Sequence, residues 1–248
     1  MSPQPESPTP ATAVRPGEDT TERPRSRLRR VTVVAVALLL MVVVRTLLVQ
    51  SFYIPSGSMQ PTLEPGDRIL VSKLGGSSSV HRGDVVVFDG TTTFGRPDGG
   101  SAPTGLIART LGGVASALSV GGNESDYVKR VVGMPGDHVV CCDQAGHLSI
   151  NGRSVTEPYL HVGDDPSDLT FDVRVPAGRI WLMGDHRSDS ADSRAHLGDP
   201  GGGMVRLEDV IGTAKAVYWP LNRVGSVAGS ADLAAAPSPS APSAQARR

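Results

Sequence analysis

The chain is poor in the residues that would announce several common chemistries. Aromatic residues make up 4% of its 248 positions, so a core has to rest on Val, Ile and Leu. Neither sign of charge is in excess: 24 Lys and Arg against 25 Asp and Glu leave a formal net charge of -1, and nothing in that balance favours nucleic acid as a partner. Cysteine occurs only as the adjacent pair Cys141 and Cys142. Successive strand residues point to opposite faces and a ring between them is disfavoured, so the sequence predicts two partly buried thiols, or one pairing between molecules, and no cysteine catalysis. There is no G-x-S-x-G elbow, and none of His81, His138, His147, His161, His186 or His196 sits in a run that reads as a triad member, which leaves a histidine-assisted serine without support. No repeat of fixed period is present.

What the chain does have is one long apolar run. Val31 to Val49 reads V-T-V-V-A-V-A-L-L-L-M-V-V-V-R-T-L-L-V, close to the roughly 20 residues that cross about 30 Å of hydrocarbon as a helix. Arg45 lies toward its outer end, where a long side chain reaches the headgroups. Arg25, Arg27, Arg29 and Arg30 crowd the other flank, so the positive-inside rule predicts a cytoplasmic N-terminus and an extracytoplasmic domain. A cleaved signal peptide also starts basic and turns apolar, but this run is longer than such a segment and no small-x-small site precedes the serine-rich turn that follows, which favours an uncleaved anchor. Residues 1–24, rich in Pro, Ser, Thr and Glu, read as a disordered cytoplasmic tail, and residues 25–50 as basic flank and anchor. Residues 225–248, small and broken by Pro, read as a disordered C-terminal tail that cannot form a second span.

Residues 51–224 carry frequent short strand signals: Arg68 to Ser72, Asp84 to Phe88, Val128 to Val132, His138 to Cys141, Leu148 to Asn151, Thr170 to Val175, Arg179 to Met183 and Val210 to Tyr218. Each is a β-branched or apolar run bounded by Gly, Pro or Asp. With 29 Gly and 20 Pro, this predicts a mainly β domain, a sandwich or coiled sheet. Pro65-Gly66-Asp67 and Pro135-Gly136-Asp137 suit type II turns, and Asn151-Gly152 suits a tight hairpin. Residues 89–126 read as a surface insertion, with one short helix in the stretch Leu106 to Val120.

Three segments carry the chemistry. Pro55 to Leu63 reads P-S-G-S-M-Q-P-T-L, a turn just beyond the anchor that offers a serine nucleophile at the membrane surface. Tyr127 to Asp137 reads Y-V-K-R-V-V-G-M-P-G-D and sets a lysine in a strand. Period-2 alternation puts Tyr127, Lys129 and Val131 on one face and Arg130 on the other, so Arg130 is expected in solvent while Lys129 faces inward. A lysine replaces histidine as base only when its pKa falls from about 10.4 toward about 7, which burial can supply at roughly 4–5 kcal/mol. Gly184 to Arg194 reads G-D-H-R-S-D-S-A-D-S-R. Its acids could face calcium, but Arg187 and Arg194 interleave with them and favour ion pairing.

In this order, behind one apolar run, the three segments resemble the bacterial type I signal peptidase family over roughly Arg45 to Arg223, apart from the insertion. The resemblance implies a membrane-anchored serine endopeptidase with a coiled β-sheet catalytic domain, which removes signal peptides from exported preproteins through a Ser/Lys dyad and an acyl-enzyme. It carries Ser58 over as nucleophile, Lys129 as general base, and Ser56 with the Ser58 N–H as oxyanion hole. Ser190 matches a residue that orients the lysine, and Asp192 and Arg194 match supporting groups. His186 and Ser188 stand where many relatives have other polar residues. Ile54, Met59, Leu63, Tyr127 and Val128 match the lining of two shallow apolar pockets for small side chains. No cofactor or metal is implied; the expected partners are preproteins and membrane lipid, with the chain a monomer. Two other readings stay open from the residues alone. One is an anchored β-domain for adhesion or assembly, whose serine motif is only a turn. The other is a self-cleaving Ser/Lys repressor, which would need a DNA-binding domain where the apolar run stands.

Overall fold

The structure, a computed structural model, describes residues 24–95 and 125–239. It divides into two units, residues 1–42 and 43–248. The first holds most of helix α1, Pro24–Leu47. Within it Val31, Val33, Val34, Val36, Leu38, Leu39, Leu40, Met41 and Val42 are all exposed. Among the described residues no helix is long and apolar enough to cross a membrane; the side chains described in α1 run only from Arg29 to Val42.

The second unit is mainly β, in two antiparallel sheets. The larger contains β1 (Val49–Tyr53), β2 (Arg68–Ser72), β3 (Val85–Asp89) and β4 (Asp126–Gly133), with β9 (Arg179–Met183), β10 (Val205–Arg206), β11 (Val210–Trp219) and β12 (Gly225–Ser226). Its order is β1-β2-β11-β3-β4-β9-β10, and β12 pairs with β11. The smaller, ordered β7-β6-β5-β8, contains β5 (His138–Cys141), β6 (Ser149–Ile150), β7 (Arg153–Ser154) and β8 (Phe171–Arg174). The β-branched and leucine-containing runs fill the core as the composition requires: Ile69, Val86, Val87, Val131, Val139, Ile150 and Leu182 are fully buried, with Trp181 and Phe88 as large aromatics among them.

Turn chemistry sets the joints. Asp67 N–H donates to Glu64 O at 3.0 Å and Asp137 N–H to Met134 O at 3.0 Å. Gly66 and Gly136, at φ 96° and 89°, occupy the third position of these turns, where a side chain would be strained. Asn151 and Gly152, both at positive φ, join the paired residues Ile150 and Arg153 as a two-residue hairpin loop.

Several expectations are corrected. The apolar run does not end as one helix at Val49: α1 stops at Leu47, and Val49 opens edge strand β1 opposite Ser72. The segment after residue 225, read as a tail, is packed as far as it is described. Ser230 caps helix α2, Ala231–Ala234, and Leu233 is fully buried in the cluster that holds Trp181. Arg82 donates to the carbonyls of Ala236 and Pro237, and Asn151 to that of Pro237. Donors on the domain thus hold a segment of small residues by its backbone, which composition alone does not reveal. Cys141 and Cys142 are joined as a disulfide. Strand alternation does not separate them, because β5 ends at Cys141 and Cys142 lies beyond it. Asp89 and Asp126 pair at the base of the insertion; the helix expected over Leu106 to Val120 lies outside the described residues.

Candidate active site

The serine turn bridges β1 and β2. Ile54 N–H donates to Asp67 O at 2.9 Å, Gln60 N–H to Gly57 O at 2.9 Å and Leu63 N–H to Met59 O at 2.9 Å. Ile54, Met59 and Leu63 are buried in one cluster, against which Val128 packs. These anchors hold the turn from below and leave Ser58 8% exposed at its crest.

Strand β4 delivers the lysine. Its residues Lys129 and Val128 pair with Val86 and Val87 of β3. Lys129 is 4% exposed, and its Nζ donates to Ser58 Oγ at 2.7 Å. Burial pulls the ammonium down from 10.5 to about 8, against the opposing fields of Asp192 and Asp185. About a tenth of the amine is therefore neutral at pH 7. Ser56 Oγ lies 3.5 Å from Ser58 Oγ, on the exposed side of the turn.

The third segment follows β9 and clasps the turn. His186 N–H donates to Ser58 O at 3.1 Å. A side chain at Gly184 would come 2.5 Å from the same oxygen and closer still to the Ser190 hydroxyl, so only glycine permits this approach. Asp192 accepts from Gly184 N–H at 2.9 Å and from Arg194 Nε and Nη2 at 2.9 and 2.8 Å. Burial works against that charge, but the Arg194 guanidinium and these hydrogen bonds hold the carboxyl below its ordinary range. Arg194 Nη2 also donates to Arg187 O at 2.8 Å. Ser190 Oγ is buried beside the Asp192 carboxylate, but forms no hydrogen bond of good geometry, to the lysine or to any other described residue.

Arg130 corrects the expectation of a solvated neighbour. It is 1% exposed, and its Nε and Nη2 meet Asp185 Oδ1 and Oδ2 at 2.8 and 2.7 Å. Nη1 donates to Gly83 O at 2.8 Å, Nη2 to Thr62 Oγ1 at 3.2 Å, and the guanidinium lies 4.1 Å from the centre of the Tyr159 ring. Alternation correctly turns it away from Lys129's face, but that opposite face is covered too. The ion pair joins β4, the serine turn through Thr62, and the third segment through Asp185. The folded register accounts for it: Arg130 pairs with Met183 across β4 and β9, and Asp185 stands two residues on, in phase with that pair, a relation that the sequence alone does not display.

Of the five residues matched to pocket lining, Ile54, Met59, Leu63 and Val128 come together. Tyr127 packs elsewhere, stacked on Phe88 and edge-on to Phe94. One further group, His161, Asp164 and His186, brings potential metal-ligand atoms within 4.8 Å of one another.

The family model described as signal peptidase, peptidase S26, matches residues 27–219. A signal peptidase I of Mycobacterium tuberculosis is 38% identical over 229 residues, covering 82% of this chain and 76% of its own. Signal peptidase I T of Bacillus subtilis is 30% identical over 200 residues, covering 77% and 84% respectively. A solved signal peptidase I from Enterococcus faecalis aligns with 54% of this chain and 96% of its own, at 22% identity and a TM-score of 0.35.

Proposed function

The chain belongs to the signal peptidase family, peptidase S26, and from that premise we propose that it is a membrane-anchored serine endopeptidase that cleaves signal peptides from exported preproteins with a Ser58/Lys129 dyad. The observation that carries the reading is the buried Lys129 Nζ at 2.7 Å from Ser58 Oγ, with its ammonium destabilised to a pKa of about 8.

In the proposed cycle neutral Lys129 takes the Ser58 proton as Oγ attacks the scissile carbonyl. The developing oxyanion is held by the Ser58 N–H and the Ser56 hydroxyl. The Lys129 ammonium then protonates the leaving amine, the C–N bond breaks, and the signal peptide stays on Ser58 as an ester. Lys129, neutral again, deprotonates a water that attacks the ester, and the returned proton restores Ser58. Asp192 and Arg194 support this geometry by fixing the Gly184 backbone, and so the approach of the third segment to the serine turn.

Substrate adds as an extended strand beside the site, and small side chains enter apolar depressions above Ile54, Met59, Leu63 and Val128. Helix α1, apolar and exposed on all sides between Val31 and Val42, supports the role of anchor; its arginines keep the N-terminus cytoplasmic and the catalytic domain outside, acting as a monomer. The test is incubation of the purified chain with a preprotein and mass spectrometry of the products. One cut after a small-x-small sequence, absent with Ser58→Ala, is expected; cutting that survives this substitution removes the mechanism.

A further inference from the structure

We propose that His161, Asp164 and His186 form a binding site for a divalent transition ion of the zinc, cobalt and nickel class, distinct from the serine and lysine. Each of the three is partly buried, and their ligand atoms lie within 4.8 Å of one another. The two imidazoles stack with ring centres 3.9 Å apart. His186 Nδ1 is buried and has no hydrogen-bond partner among the described residues. A buried ring nitrogen left unpaired is uncommon, and here it borders a second imidazole and a carboxylate, the surroundings in which an ion would satisfy it.

The supporting groups have the form a metal site needs. Ser188 Oγ donates to Asp164 Oδ1 at 2.8 Å and Ser188 N–H to Oδ2 at 3.3 Å, which orients the carboxylate from behind. His161 N–H donates to Asp185 O at 3.1 Å and Asp164 N–H to His161 O at 3.1 Å, so the backbone of both ligand loops is fixed. Two imidazoles and one carboxylate suit zinc, cobalt or nickel, whereas calcium and magnesium call for a shell of about six or more oxygens. Three protein ligands leave a fourth position for water. Ligand atoms on a tetrahedral zinc ion stand about 3.4 Å apart, so closing on the ion requires the stacked rings to turn toward it. The peptidase chemistry leaves the His186 and Ser188 side chains unused; this site gives both a role. An ion there would tie the loop of His161 to the segment whose His186 N–H holds Ser58 O.

The test uses the full, tag-free chain in detergent, with its disulfide intact, and reads no peptidase turnover. Zinc chloride titrated in a calorimeter should bind at one ion per chain with micromolar or tighter affinity, and cobalt chloride should give the visible absorption of a four-coordinate ion. At zinc a hundred times Kd the Tm should rise by roughly 5–10 °C, and millimolar calcium chloride should do neither. His161→Gln, Asp164→Asn and His186→Gln should each weaken zinc binding by about tenfold or more. If His186→Gln fails to fold, the decision falls to His161→Gln and Asp164→Asn. Zinc affinity unchanged by these substitutions, an equal response to calcium, or no binding at millimolar zinc overturns the proposal.

Discussion

Replacing Lys129 with methionine should make the protein more stable while abolishing its chemistry. The amine is almost wholly buried, and its pKa falls from 10.5 to about 8 because the folded state penalises the ammonium. Each tenfold change is worth about 1.36 kcal/mol, so the folded state gives up about 3 kcal/mol at any pH below the folded pKa. Methionine is similar in length and carries no charge; it removes that penalty and forfeits the hydrogen bond to Ser58, worth about 1 kcal/mol. Lys129→Met should therefore gain about 2 kcal/mol at pH 7. The gain has a definite pH dependence. Between about 8 and 10.5 the unfolded chain binds the lysine proton and the folded chain does not, so the unsubstituted protein gains stability as pH rises and the difference closes. Denaturant unfolding of both proteins from pH 6 to pH 10 measures it, other titrating groups cancelling in the comparison. A Lys129→Met protein no more stable than its parent at pH 7, or a difference independent of pH, would refute the reasoning.

Other substitutions follow from the packing. Arg130→Ala leaves Asp185 buried and unpaired and should lower stability by about 3–5 kcal/mol; a change within about 0.5 kcal/mol, as for a surface residue, would mean the ion pair is not formed in solution. Leu233→Ala should cost about 2–5 kcal/mol in denaturant unfolding, whereas an unfolded tail would show no change. Gly184→Ala forces a methyl against Ser58 O and the Ser190 hydroxyl; kcat/KM toward a preprotein should fall by at least tenfold with the fold retained by circular dichroism, and unchanged turnover would show that the close approach is not required.

The elements most legible in the sequence were those whose signal is local. Arg68–Ser72, His138–Cys141 and Arg179–Met183 are strands with the expected ends, because β-branched runs and Gly or Pro punctuation set them without outside help. Lys129 was legible as an inward residue because alternation decides facing within one strand. What alternation cannot decide is what lies over each face. Alternation alone therefore points Arg130 to solvent, although Asp185, 55 residues away in sequence, covers it. Tyr127 and Val128, adjacent on β4, both match the lining of two pockets by resemblance, and as neighbours on a strand they serve opposite faces and join different clusters. The segment Ala231–Ala234 offered one large apolar side chain, too little to signal order; its docking depends on carbonyls captured by Arg82, Asn151 and Arg153, a partnership visible only once the chain is folded.

The most direct measurement is the pH dependence of kcat/KM for a preprotein with the unsubstituted chain and with Lys129→Arg. If Lys129 is the base, the rate rises through one ionisation near its pKa of about 8, because only the neutral amine accepts the Ser58 proton. Lys129→Arg should then be inactive at every pH, as guanidinium stays protonated. A rate governed by an ionisation near about 6.5, the ordinary range of histidine, together with normal cleavage by Lys129→Arg, would contradict the Ser58/Lys129 mechanism.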